Sequence, residues 1–66
     1  MSRIKVILLD GSEIELNKDV TLYDAALKIS QKFAKEAIAG IVNGVKKDLN
    51  YTLKNNDRIE ILTFAS

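Results

Sequence analysis

Cysteine and histidine are both absent from this chain. Their absence excludes a disulfide framework, a thiolate nucleophile, an imidazole base and zinc sites of the usual kinds. A GxxxxGK[ST] phosphate loop is also missing, and no glycine-rich turn opens a helix, so nucleotide binding of those types is not encoded. Charge of one sign is lacking as well: ten basic residues face nine acidic ones, a formal net charge of +1. No long-range field therefore draws the chain to nucleic acid or membrane, and any such contact must come from a local patch. There is no run near 18 apolar residues, and no apolar segment follows the charges of Met1-Ser2-Arg3-Ile4-Lys5. The expectation is a soluble, cytoplasmic protein with no membrane contact. Glu13 and Glu15 are paired carboxylates, but their strand spacing puts both on a solvated face, where they serve solubility. The triplet Asn50-Tyr51-Thr52 matches a glycosylation acceptor only by chance composition. No catalytic residue, cofactor or metal ligand is expected, and the chain is read as no enzyme in itself.

What is present is a globular pattern. Sixty-six residues, 47% of them hydrophobic, make one small domain spanning 1–66. RIKVILL at 3–9 reads as a strand, with Ile4, Val6 and Leu8 on one face and Arg3, Lys5, Ile7 and Leu9 on the other. Asp10-Gly11-Ser12 supplies turn chemistry, and EIEL then alternates with Ile14 and Leu16 inward, which predicts a hairpin. Thr21 followed by Asp24 is an acidic variant of the capping box and starts a helix. Leu22, Ala25, Ala26 and Ile29 share one helical face, which Phe33 and Ala37 extend, and Ser30-Gln31 is a candidate break.

AIAGIVN reads as a third strand, Asn43-Gly44 as a type I′ turn, and VKKDL as the returning strand. After the polar turn 54–57, RIEILTF alternates with Ile59 and Ile61 inward and Arg58, Glu60, Leu62 and Phe64 outward. A hairpin, one helical region and further strands fit neither a βαβ repeat nor a sandwich. The fold class expected is α+β, a β-grasp (ubiquitin-like) architecture. It has a mixed four- to five-stranded sheet, one main helix across one face, and the first strand parallel to the last.

Three segments, LLDGSEIEL, AIAGIVNGVKKDL and NNDRIEILTF, resemble in order and spacing the TGS domain, found at the N-terminus of threonyl-tRNA synthetases and in (p)ppGpp synthetases and some GTPases. The matching positions are Asp10, Gly11, Ser12, Ala37, Ala39, Gly40, Val42, Asn43, Gly44, Asp48 and Leu49, closest to the synthetase version. Leu9 stands where family members often carry proline, a difference in turn stiffness. The resemblance implies a non-catalytic accessory module excised from a larger multidomain protein whose activity is threonine–tRNA ligation. Its role would be regulatory, RNA-proximal or interdomain docking. Alternatives that stay open are the regulatory domain of a (p)ppGpp synthetase or GTPase, and a ubiquitin-like protein-interaction module.

Two surfaces follow from the residues. Strand parity places Ile7, Leu9, Leu62 and Phe64 outward on neighbouring strands, with Ile41 joining them if Val42 points inward; such a contiguous apolar set marks a docking face. Arg3, Lys5, Lys46 or Lys47, and Arg58 are candidate phosphate contacts, although adjacent lysines on a strand cannot share one face. The partners expected are neighbouring domains of the parent protein and, weakly, tRNA. The isolated domain should be monomeric.

Overall fold

A computed structural model describes residues 2–64; Met1, Ala65 and Ser66, the ends of the expected domain, lie outside them. The chain runs β1 (Arg3–Ile7), β2 (Glu13–Asn17), α1 (Leu22–Ile29), α2 (Gln31–Glu36), β3 (Ala37–Val42), β4 (Val45–Lys47) and β5 (Ile59–Thr63). β1 and β2 form an antiparallel hairpin, and β4-β3-β5 an antiparallel three-stranded ladder. The one mixed sheet expected from sequence is thus two ladders, joined by a single parallel bridge between Ile7 and Arg58. First and last strands do meet in parallel, as a β-grasp fold requires, but only at that point.

Local chemistry sets the boundaries. Beyond Ile7 the hairpin closes with the Leu8 N–H donating to the Ser12 carbonyl (2.8 Å), and the chain reverses where the Gly11 N–H donates to the Leu8 carbonyl (2.9 Å), with Gly11 at φ 91°. Leu8 and Leu9 therefore belong to the turn and not to the strand. Asp10 closes this turn by accepting from both the backbone N–H (2.9 Å) and the hydroxyl (2.6 Å) of Ser12. At α1, Thr21 Oγ1 accepts from the Asp24 N–H (3.3 Å) while the Asp24 carboxylate accepts from the Thr21 N–H (3.0 Å), completing the capping box. The Leu22 and Tyr23 N–H groups donate to the carbonyls of Tyr51 and Leu49, both at 3.0 Å. The 48–53 loop is thereby committed to the helix start, and β4 ends at Lys47. Ser30 ends α1 and begins α2 in extended conformation (φ −171°), donating its N–H to Ala26 and accepting from the Phe33 N–H through its hydroxyl (3.4 Å). The break at Ser30-Gln31 is real.

The core sits between the helices and the inward sheet face. Val6, Leu22, Ala25 and Ala26 are fully buried, with Ile4, Leu16, Val42, Leu53 and Ile59 close to it. Gly40 explains how tightly α1 lies on β3: a Cβ there would come within 2.9 Å of Leu22 Cδ1 and 3.1 Å of the Glu60 carbonyl oxygen. Every buried side-chain nitrogen or oxygen among the described residues has a hydrogen-bond partner.

One polar cluster ties the two ladders together. Asn43 (φ 53°) and Gly44 (φ 86°) make the type I′ turn between β3 and β4. The Asn43 side chain then donates to the buried Asp57 carboxylate (2.9 Å) and accepts from the Arg58 N–H (3.0 Å). Asp57 also accepts from the Lys54 N–H (2.8 Å), and its backbone carbonyl accepts from the Ile7 N–H (2.8 Å). Lys5 completes the junction, donating its N–H to Asn55 Oδ1 (2.9 Å) and accepting from the Asn56 N–H (2.6 Å).

Two outcomes are expected. Asp57→Ala strands the Asn43 amide and the Lys54 N–H without an acceptor, which should cost about 3 kcal/mol, read as a lower urea midpoint at constant slope. A loss below about 1 kcal/mol would show that the junction is dispensable. The Ser12 hydroxyl, and then its N–H, hold the Asp10 carboxyl below the usual aspartate value. A folded value below the unfolded one stabilises the chain above the ordinary aspartate range and is lost as pH falls through the folded value. Ser12→Ala should therefore raise the Asp10 midpoint in an NMR titration, and an unchanged midpoint would refute the hydroxyl's part.

Candidate functional site

The sheet face away from the helices is built by cross-strand pairing. Ile41 of β3 lies between Lys46 of β4 and Glu60 of β5, and Ala39 lies beside Leu62. On β1, Arg3, Lys5 and Ile7 oppose Asn17, Glu15 and Glu13. Val42 is 3% exposed on the inward side, so Ile41 takes the outward parity that the docking reading requires. Ile7, Ile41 and Leu62 are half-buried on this face. Phe64 follows β5 at 78% exposure, its N–H donating to the Glu36 carbonyl (3.2 Å). Leu9 leaves the set. Since β1 has already ended, Leu9 is carried into the turn at 72% exposure and lines a groove on the helix side.

That groove, about 350 Å³, lies between the β1–β2 turn and β5. Leu8, Leu9 and Asp10 form one wall, Ile59, Glu60 and Ile61 the other, and Ile29 and Phe33 reach it from the helices. Sequence periodicity assigns Ile29 and Phe33 to the core, but Ile29 is 43% exposed because the helical stripe runs past the sheet that covers it. No signal in the sequence marks this groove, as it exists only where β1 turns away from β5.

The five basic candidates do not form one patch. Arg3 pairs with Glu15 (3.4 Å) and Lys5 with Glu13 (3.6 Å), both at the surface. Lys47 Nζ lies 5.1 Å from the centre of the Tyr51 ring, a cation–π contact. Lys46 opposes Ile41 whereas Lys47 opposes Gly40, so the two lysines take opposite faces. Lys46 and Glu60 flank the same Ile41, which balances the local charge, and Arg58 is exposed. Among the described residues no group of acidic side chains is placed to hold a metal ion, and no helix is long and apolar enough to cross a membrane.

Comparisons with known proteins agree with this architecture. A solved de novo designed protein based on ubiquitin superposes with a TM-score of 0.58 at 20% identity, covering 97% of this chain and 89% of its own, which shows a ubiquitin-like β-grasp fold. The threonine–tRNA ligase of Acetivibrio thermocellus is 46% identical over 61 residues, covering 92% of this chain and 10% of that protein. That of Desulforamulus reducens is 48% identical over the same length and coverage. The Pelobacter propionicus ligase is 43% identical over 66 residues, all of this chain and 10% of the relative. The chain thus spans about one-tenth of the length of the curated relatives it matches. A family profile described as TGS domain matches residues 4–63, nearly the full length, and on that match the chain belongs to the TGS domain family.

Proposed function

We propose that this domain is the non-catalytic N-terminal accessory module of a threonine–tRNA ligase, and that it works by docking its outward sheet face against another domain of the same protein. The observation that supports this reading is the outward parity of Ile41 and Leu62 on the neighbouring strands β3 and β5, followed by Phe64 at 78% exposure, with Ile7 beside Arg58 on β1. Apolar residues grouped in this way are poorly placed in water and suit an interface. The relatives supply the room for such a partner, because about nine-tenths of their length lies outside the matched segment. Direct RNA recognition is less favoured. Arg3, Lys5 and Lys47 are already engaged with Glu15, Glu13 and Tyr51, and Lys46 is offset by Glu60. Contact with tRNA would then be a matter of proximity within the assembled protein, not of affinity in this domain.

Phe64→Ser separates the docking role from a core role. In the isolated chain it should change stability by no more than about 0.5 kcal/mol, the range of ordinary surface changes. In the full-length ligase it should loosen the domain, seen as faster proteolysis between the domain and its neighbour. A fragment that unfolds on this change would place the ring in the core. For RNA, the isolated chain should bind tRNA no more tightly than about 1 μM at physiological salt, with affinity fading as salt rises. Tighter, salt-resistant binding in a filter assay would reinstate the basic residues as a recognition site.

A further inference from the structure

Among the described residues, strand pairing of β5 runs along one side. β3 covers its inner edge, while β1 meets its outer edge at the Arg58 bridge alone. At Ile61 no strand among the described residues lies beside that outer edge. Which backbone groups face the gap follows from the hydrogen bonds. The Asn43 N–H donates to the Arg58 carbonyl, so Arg58 faces β3, and the Ile7 N–H donates to the Asp57 carbonyl, so Asp57 faces β1. Successive residues in an extended strand turn their N–H and C=O groups to opposite edges. Glu60 and Leu62 therefore bond toward β3, and Ile61 presents its backbone to the gap.

The gap is suited to a strand. Proteins normally guard an exposed edge with lysine, proline or a bulge, but Ile59–Thr63 reads IEILT, with Glu60, which lines the neighbouring groove, as its one charge. Beside the bare edge lies the 350 Å³ groove, where Leu9 and Phe33 offer apolar surface to side chains arriving from above. Ile29, left 43% exposed at the end of a stripe whose first members are fully buried, has the same unmet need for cover.

We propose that this gap receives an extended segment as an added strand on β5, with alternate side chains of the guest seated over Ile29 and Phe33. The guest is a segment of the remaining polypeptide of the same ligase, an inference that rests on the module reading above. In relatives about ten times as long as the matched region the remaining polypeptide is covalently tethered to this domain, and effective concentrations of about a millimolar then replace intrinsic affinity. Its chemistry is apolar at alternate positions and free of acid at the end that meets Asp10, the charged side chain of the turn wall. Backbone pairing supplies the bonds, and the groove selects the side chains.

Hydrogen exchange of the full-length ligase, compared with the isolated 66-residue chain, tests this. The Ile61 amide should exchange at least about tenfold more slowly in the full-length protein, while Glu60 and Leu62, already bonded to β3, change little. Leu9→Ser, at a site exposed enough not to disturb folding, should reduce the Ile61 protection while leaving the exchange of the isolated chain unchanged. Equal Ile61 exchange in the two proteins overturns the proposal, as does slowing at 29–33 without Ile61, which would mean a cover that adds no strand. Ile61 protection that appears in the isolated chain and grows with its concentration would assign the slot to a second copy and also overturn it. The docking reading fails separately. Loss of Phe64→Ser sensitivity with Ile61 still protected leaves the strand slot standing, and the reverse result leaves only the docking face.

Discussion

The Asp57 carboxylate, buried and shared between the Asn43 amide and the Lys54 N–H, is the interaction on which the two halves of this domain depend. Each ladder closes its own hydrogen bonds, but neither buries its apolar face unaided. They are brought to one helix by the 54–57 turn, which Asp57 holds in shape from within while its carbonyl receives Ile7. A carboxylate in this position must be satisfied at every lone pair that water cannot reach, so the turn, the β3–β4 hairpin and the end of β1 are fixed together. The apolar core then acts on a frame whose register is already specified.

Function in so small a domain has to be located by surplus. Among the described residues eleven apolar side chains are buried; of the large apolar ones left exposed, Leu9 and Ile29 lie at the groove where β1 departs from β5, Phe64 follows β5, and Tyr23, Leu27, Ile38 and Val45 lie elsewhere. On β1, Arg3 pairs with Glu15 and Lys5 with Glu13, and such surface pairs add little stability while lowering the potential offered to a phosphate there.

Much of the fold was legible because its signals are local. Thr21 and Asp24 lie within one turn of each other, Asn43 and Gly44 are adjacent, and Ser30 interrupts a regular stripe, so each was readable from neighbouring residues. Leu53 was not: it sits alone between Thr52 and Lys54, without periodicity, yet it is 2% exposed because its N–H is held by the Val20 carbonyl. Asp57 looked like one more turn residue, since its partner Asn43 is 14 positions away. Outward parity was legible only as far as the strand lasted, which is why Ile7, Ile41 and Leu62 lie on the outward face and Leu9 does not. Family resemblance fixed the kinship, but the groove belongs to the tertiary arrangement.

The bond from the Lys5 N–H to Asn55 spans 50 residues, and this separation has a kinetic meaning. The β1–β2 hairpin, the capped α1 and the Asn43-Gly44 turn are local and form quickly, whereas joining them requires closure of a loop nearly as long as the chain. Closure of the 54–57 turn onto β1 is then the step at which local pieces become one cooperative unit. During synthesis, a ribosome-bound chain lacking that turn would carry β1 with its inner edge bare, and the domain could not withdraw that edge from other strands until the turn had emerged.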